Sequence, residues 1–96
     1  MHDLSHLYSP FRVGPLTLPN RLVMAPMTRG RAAADGTPVE AMARYYQLRA
    51  DAGLLVTEAV AISPGGVGWL GAPGIYTDAH VAGWRKVTEA VHLRDG

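Results

Sequence analysis

The amino-acid sequence predicts an α/β fold of which this chain forms the beginning. Two near-continuous apolar runs, at 21–26 and 54–59, are each followed by a segment with helical periodicity, at 38–52 and 78–94. Apolar strands in the order strand–helix–strand–helix are typical of a parallel sheet joined by right-handed crossovers. Because two parallel strands leave both sheet edges open, this order of elements resembles the first quarter of a larger structure.

A short hairpin is predicted before the parallel strands. Two extended pieces within 7–20 flank the dipeptide Gly14-Pro15, which favours a turn. The apolar run 21–26 follows and ends at Pro26, as expected of a strand that is covered on both faces.

The first helix, predicted at 38–52, carries clear end signals. Thr37 is expected at the N-cap, Pro38 at the first helical position and Glu40 at the third, which together form a capping box. Gly53 is expected to end the helix as the residue after its C-cap. The second strand, at 54–59, then begins at once.

A long loop at 60–76 separates the second strand from the second helix, predicted at 78–94. Thr77 or Asp78 is expected to cap this helix. Its apolar side chains recur at helical spacing and are Val81, Trp84, Val87 (or Thr88) and Val91. His80 and His92 on this helix are expected to be exposed or half-buried.

Composition excludes several functional classes. The 96 residues have a formal net charge of +1 and contain no cysteine, so a strongly basic nucleic-acid interface and thiolate metal sites are excluded. The histidines lack metal-ligand spacing, and no metal site is predicted. No apolar run approaches the ~20 residues of a membrane span, and the N-terminus lacks signal-peptide features, so a cytoplasmic location is expected.

The stretch GVGWLG, from Gly66 to Gly71, matches the G-x-G-x-x-G spacing of dinucleotide-binding proteins. That motif needs a strand directly before it and a helix beginning within it. Here several loop residues precede Gly66, and Pro73 and Gly74 follow soon after Gly71. The stretch is therefore predicted to be a loop that binds no pyrophosphate.

Several motifs, in the same order along the chain, resemble the Old Yellow Enzyme family of flavin-dependent ene-reductases, specifically its N-terminal portion. The matching motifs are Asn20-Arg21, Ala25-Pro26-Met27-Thr28-Arg29, Tyr45-Tyr46, Arg49-Ala50, Ala52-Gly53-Leu54, Thr57-Glu58-Ala59 and Gly71-Ala72-Pro73-Gly74. The resemblance implies an FMN-binding TIM barrel that takes hydride from NADPH or NADH and reduces α,β-unsaturated carbonyl-type alkenes. The chain would then supply the N-terminal hairpin and the first two β/α units of an incomplete (β/α)8 barrel.

By this resemblance, four consecutive residues at the end of the first strand would bind the flavin. Ala25, Pro26 and Met27 would lie against the isoalloxazine ring and its ribityl chain. Thr28 would donate a hydrogen bond to the flavin C4 carbonyl and so favour the reduced flavin. An alternative for Thr28 is a hydroxyl that caps a turn of the loop.

Two residues further along, Ala59 and Trp69, complete the expected site. Ala59 would allow the flat ring to approach closely, although a strand-end alanine is also ordinary. Trp69, where the family often has tyrosine, would line the substrate pocket, or else simply pack the loop down. Glu58 is expected to be a hydrogen-bonded structural residue rather than a general acid. Arg29 and Arg31 are expected to be structural or solvated.

No catalytic residue is predicted within these residues. By the resemblance, the substrate-holding pair, the proton-donating tyrosine and the FMN phosphate site belong to the remainder of the barrel, which is a required partner from the same gene or a second chain. An alternative function is a non-catalytic β-α-β-α module, or a split-barrel fragment, that assembles through its open sheet edges. The physiological substrate, the choice of NADPH or NADH and the oligomeric state stay open.

Overall fold

The computed structural model describes residues 3–96, which form two small sheets and two helices. We number the elements in chain order. They are β1 (Phe11–Val13), β2 (Leu16–Leu18), β3 (Val23–Met24), α1 (Glu40–Gln47), β4 (Leu54–Leu55), a single 3-10 turn (Pro64–Gly66) and α2 (Asp78–His92). Neither helix in this part of the chain has the length and apolar content that a membrane crossing demands.

The N-terminal sheet is an antiparallel hairpin within the predicted range 7–20. Phe11 of β1 lies opposite Leu18 of β2, and Val13 lies opposite Leu16. The turn between the strands contains Gly14, whose φ of 56° favours glycine.

The second sheet pairs β3 and β4 in parallel, with Val23 opposite Leu54 and Met24 opposite Leu55. Met24 and Leu55 pack against the helices, whereas Val23 is 55% exposed on the other face. Successive side chains on a strand point to opposite faces, and α1 and α2 cover one face only. The described residues therefore cover only one face of this sheet, whereas the sequence predicts strands that are covered on both faces.

Regular pairing in this sheet is shorter than the predicted strands 21–26 and 54–59. One further hydrogen bond, from the Val56 N–H to the Met24 carbonyl at 3.1 Å, continues the ladder beyond β4. Pro26 has no N–H to donate, and the chain leaves the sheet there.

The start of α1 differs from the predicted capping box. The N-cap is Val39, and no side chain caps the helix. Thr37 instead belongs to a turn in which its N–H donates to the Asp35 carboxylate at 2.9 Å and its carbonyl accepts from Ala33. The Asp35 side chain offers the backbone a local alternative to the helix, so α1 begins two residues later than predicted.

The end of α1 also differs from the prediction. Regular helix ends at Gln47, and tighter turns continue to Ala52, whose N–H donates to the Arg49 carbonyl. Gly53 is not among the residues with positive φ. A side chain at Gly53 would overlap the Asn20 carbonyl, so close approach of the two segments requires glycine here.

The core lies between the two helices and the parallel sheet. Its buried side chains come from both helices and are Met42, Ala43, Tyr46, Trp84 and Val87. Among them Tyr46 also carries a polar group: its hydroxyl accepts from the Glu58 N–H at 3.1 Å and donates to the Glu58 carboxylate at 3.5 Å.

His80 lies in the interior, and the expectation of an exposed or half-buried side chain was wrong. The side chain is 1% exposed. Its Nδ1 accepts from the Tyr76 N–H at 3.2 Å, and its Nε2 lies 2.7 Å from the Asp35 carbonyl oxygen. With Nδ1 accepting, Nε2 carries the proton and donates to Asp35. The imidazole therefore joins the loops before α1 and α2.

The two loops that follow β3 and β4 are bonded directly to each other. The Ala32 N–H donates to the Gly71 carbonyl at 3.0 Å, and the Gly74 N–H donates to the Gly36 carbonyl at 2.9 Å. Gly71 has a φ of 79°, and a Cβ there would overlap the Gly30 carbonyl. This contact needs glycine both for its backbone conformation and for its space.

We therefore expect Gly71→Ala to lower the free energy of unfolding by about 2 kcal/mol or more, because it combines backbone strain with a steric overlap. Urea denaturation measures the change. Gly68→Ala is the matched control in the same loop, since a Cβ at Gly68 meets nothing within 4 Å. Equal stability of the two variants would contradict the proposed role of the Gly30–Gly71 contact.

A pH dependence follows from Tyr46. Burial raises the pKa of the Tyr46 phenol above its ordinary value of 10.0, and the Glu58 carboxylate disfavours a second negative charge. The folded state thus holds this proton more tightly than the unfolded state, so this contribution to stability is present below about pH 10 and is lost as the pH rises further.

We expect Tyr46→Phe to be less stable at neutral pH but to lose less free energy of unfolding between roughly pH 9 and pH 11. Urea denaturation across this range provides the measurement. Tyr8→Phe, at a tyrosine that is 62% exposed, serves as the control. An unchanged slope in Tyr46→Phe would show that this phenol does not carry the alkaline loss.

Candidate functional site

The carboxyl ends of β3 and β4 lie side by side because the strands run parallel. The segment from Ala25 to Thr28 leaves the end of β3, and Ala59 lies four residues beyond β4. All five predicted flavin-binding residues of these two segments are exposed, and Met27 is 47% exposed. The structure thus places them at the carboxyl ends of the strands, where parallel α/β proteins bind ligands. We call the surface formed by Ala25–Thr28 and Ala59 the exposed edge.

The Thr28 side chain is not used by the loop that contains it. Within residues 3–96 the hydrogen bonds of this segment reach the backbone of Arg29 and Gly30, and none involves the Thr28 hydroxyl. The alternative in which this hydroxyl caps a turn has no support in these contacts. The hydroxyl is exposed and able to donate to a ligand.

Glu58 is a buried carboxylate directly behind the exposed edge, with 2% of its surface accessible. Its Oε1 accepts from the N–H groups of Arg29 and Gly30, each at 3.3 Å. Its Oε2 accepts from the Tyr46 hydroxyl. Hydrogen bonds on both oxygens offset the cost of burying the charge, which supports the structural role expected from the sequence.

Arg29 turns away from this edge and stacks on an aromatic ring. Its guanidinium carbon lies 4.8 Å from the centre of the Tyr45 ring, and that of Arg49 lies 3.9 Å from the same centre. Both contacts are within the range of cation–π attraction. Arg29 therefore has a structural partner, as expected from the sequence.

Trp69 lies in the loop after β4, beside the loop after β3. It is 40% exposed. A Cβ built on Gly30 would lie 4.0 Å from the indole Cδ1, so the ring faces the backbone two residues beyond Thr28. A cleft of about 470 Å³ opens between the two loops, and Trp69 and Tyr76 are among its lining residues. The structure thus brings Trp69 close to the segment that carries Thr28.

The stretch from Gly66 to Gly71 lacks the setting of a dinucleotide-binding motif. Gly66 ends the 3-10 turn, and the chain continues as loop until α2 begins at Asp78. The hydrogen bonds and the close contact at Gly71 bind this stretch to the neighbouring loop instead. In residues 3–96 no group of three His, Asp or Glu side chains is placed to hold a metal ion.

Sequence reasoning did not identify the residues that hold these segments in place. His80, Gly30 and the backbone N–H groups bonded to Glu58 act through contacts between loops that are distant in sequence. One signal was available in the sequence: Glu58 lies near the end of an apolar run, and a carboxylate buried there requires hydrogen-bond donors.

Comparison with known proteins gives consistent matches over almost the whole chain. A family model described as the NADH:flavin oxidoreductase / NADH oxidase family matches residues 6–96. The chanoclavine-I aldehyde reductase fgaOx3 of Penicillium roqueforti is 46% identical over 93 residues, which cover 95% of this chain and 25% of that protein. A probable flavin mononucleotide-dependent alkene reductase of Leishmania infantum is 46% identical over 90 residues, which cover 94% of this chain and 25% of that protein.

Solved structures agree with these relatives. The Old Yellow Enzyme homologue of Zymomonas mobilis superposes with a TM-score of 0.90 at 52% identity, over 94% of this chain and 25% of that chain. Morphinone reductase in complex with tetrahydroNAD superposes with a TM-score of 0.90 at 49% identity, over 94% of this chain and 24% of that chain.

The chain spans about a quarter of the length of the curated relatives that it matches. The match of the family model to residues 6–96, together with these relatives and structures, shows that the chain belongs to the NADH:flavin oxidoreductase / NADH oxidase family and is homologous to Old Yellow Enzymes.

Proposed function

We propose that this chain forms one side of the FMN site of an ene-reductase and acts when the rest of the barrel is present. The observation that carries the proposal is the exposed edge formed by Ala25–Thr28 and Ala59, at the carboxyl ends of two paired parallel strands. Family membership supplies the cofactor, since the Leishmania relative is named as a probable flavin mononucleotide-dependent alkene reductase.

The proposed architecture is the hairpin and the first two β/α units of a (β/α)8 barrel. An apolar groove of about 370 Å³ runs between β4 and α2, with Leu55, Thr57, Val87 and Val91 among its lining residues. The next barrel strand would pair with β4 in this groove and bury these side chains. The remainder of the barrel, in the same polypeptide or in a second chain, is the proposed occupant.

The exposed residues fit a flat apolar ring with a polar rim. Ala25 and Ala59 have small side chains that permit close approach, and Met27 offers a polarizable surface. Thr28 would donate a hydrogen bond to the C4 carbonyl of the ring. When bound, FMN would accept hydride from NADPH or NADH and deliver it to the electron-poor carbon–carbon double bond of an α,β-unsaturated carbonyl compound.

Trp69 would contribute a flat apolar wall to the substrate pocket. Its position beside Gly30 keeps the indole close to the segment that carries Thr28. The indole N–H can donate a hydrogen bond but cannot accept one, unlike a phenol hydroxyl. The side chain would thus select substrates by shape and by a single donor.

To test the function, we would join residues 1–96 to the remaining three quarters of the Zymomonas homologue and purify the chimeric barrel. We expect a yellow protein that binds FMN and oxidises NADPH or NADH when an activated alkene is added. The Zymomonas remainder without this chain is the control and should bind no FMN. A folded chimera that binds no FMN would contradict the proposal.

The second candidate function is self-assembly without catalysis, which the exposed apolar side chains of the parallel sheet favour. Val23 is 55% exposed and Leu54 is 37% exposed. Light scattering of the chain, alone and after addition of the remainder of the barrel, distinguishes the two functions. A defined oligomer that persists after the addition would favour self-assembly.

We expect Thr28→Ala in the chimeric barrel to make the flavin midpoint potential more negative, because the donor that stabilises the reduced ring is removed. One hydrogen bond is worth about 1–3 kcal/mol, which is roughly 20–60 mV for a two-electron couple. Spectroelectrochemical titration measures the potential. Ser5→Ala is the control, since Ser5 is an exposed residue before the hairpin and does not line the groove that the next strand would fill. An unchanged potential in Thr28→Ala would remove the role assigned to Thr28.

A further inference from the structure

Glu58 connects the ends of β3 and β4. Its Oε1 accepts from Arg29 and Gly30, which lie 29 and 28 residues away in sequence, and these two residues directly follow Thr28. The contact therefore holds the backbone immediately beyond the exposed hydroxyl. Glu58 makes this contact from the buried side of the segment, whereas residues that line the flavin site lie on its exposed side.

The other side of the carboxylate is fixed to the core. The Tyr46 hydroxyl bonds to Oε2 and also accepts from the Glu58 N–H. Tyr46 is 2% exposed and belongs to the buried cluster between the helices. A hydrogen-bonded element thus extends from the helical core, through Glu58, to the Arg29 and Gly30 amides.

The position of the Thr28 hydroxyl depends on this element. Hydrogen bonds weaken steeply when distance or angle departs from the optimum, so a donor on an exposed loop is effective only when the backbone beside it is held. Each N–H lies 3.3 Å from Oε1, so Glu58 holds this backbone by two hydrogen bonds acting together rather than by one short bond.

We propose that Glu58 is a positioning residue which, through the Arg29 and Gly30 amides, fixes the Thr28 hydroxyl against the flavin C4 carbonyl and so sets the potential of the flavin. This inference rests on the proposed function. It makes Glu58 neither a general acid nor a direct ligand of the cofactor.

The dependence of the effect on Thr28 separates this role from simple electrostatics. A buried negative charge near the flavin disfavours its reduction, so removing that charge would raise the midpoint potential. Releasing the Thr28 hydroxyl instead removes a donor that favours the reduced ring, and the potential falls. A purely structural role would lower stability and give the same shift in potential with and without Thr28.

The test measures the midpoint potential of the flavin-loaded chimeric barrel for Glu58→Leu and Glu58→Gln, each with Thr28 and with Thr28→Ala. Loss of the Glu58 charge raises the potential equally with Thr28 and with Thr28→Ala, so the difference between the two backgrounds reports the positioning role alone. We expect Glu58→Leu to give a more negative shift with Thr28 than with Thr28→Ala. Glu58→Gln, whose amide oxygen can still accept from both N–H groups, should give a smaller difference of the same sign. Glu40→Gln, at an exposed carboxylate in the first turn of α1, should leave the potential unchanged.

Equal shifts with and without Thr28, or a more positive shift with Thr28 than with Thr28→Ala, would overturn the inference. If Glu58→Leu does not fold, the Glu58→Gln pair of measurements decides alone. A parent chimera without bound flavin would contradict the proposed function, whereas a shift in Thr28→Ala without coupling to Glu58 would contradict this inference only.

Discussion

The parallel pairing of β3 with β4 is the constraint on which the rest of the structure depends. Because both strands run in one direction, the segments that leave them, Ala25–Thr28 and the residues up to Ala59, emerge on the same side of the sheet. An antiparallel pair would place these segments at opposite ends. The helices α1 and α2 cover the face that carries Met24 and Leu55, and so hold the pair in register.

A second set of contacts fixes the loops after β3 and β4 relative to each other. The Gly30–Gly71 contact brings the backbones together, and the His80 imidazole joins the Asp35 carbonyl to the Tyr76 N–H. These contacts use backbone groups and one neutral ring, so none depends on a surface ion pair that salt would screen. Side chains on such loops can be placed accurately although the loops have little regular structure.

The sequence predicts local features well and contacts between loops poorly. The hairpin turn at Gly14, the order of parallel strands and helices, and the Thr77 cap of α2 follow from local chemistry, and family motifs identify the exposed edge. The predicted capping box at Thr37 was wrong because the Thr37 N–H donates to the Asp35 carboxylate and not to Glu40. The burial of His80 could not be predicted, since its partners are backbone groups whose approach depends on the tertiary fold. Flavin contact by Ala25–Thr28 and Ala59, and substrate contact by Trp69, stay predictions.

The loop after β4 is fastened at its two ends, where Ala61 and Gly74 form a parallel bridge, while Ile62 and Leu70 between them are 80% and 91% exposed. Doubling the length of such a loop costs only about 0.6 kcal/mol in closure entropy. Residues 62–70 can therefore be lengthened, shortened or replaced in evolution while the Ala61–Gly74 bridge and the sheet behind it stay intact. Diversification of substrate range within such a scaffold would then be recorded as length variation in this one interval.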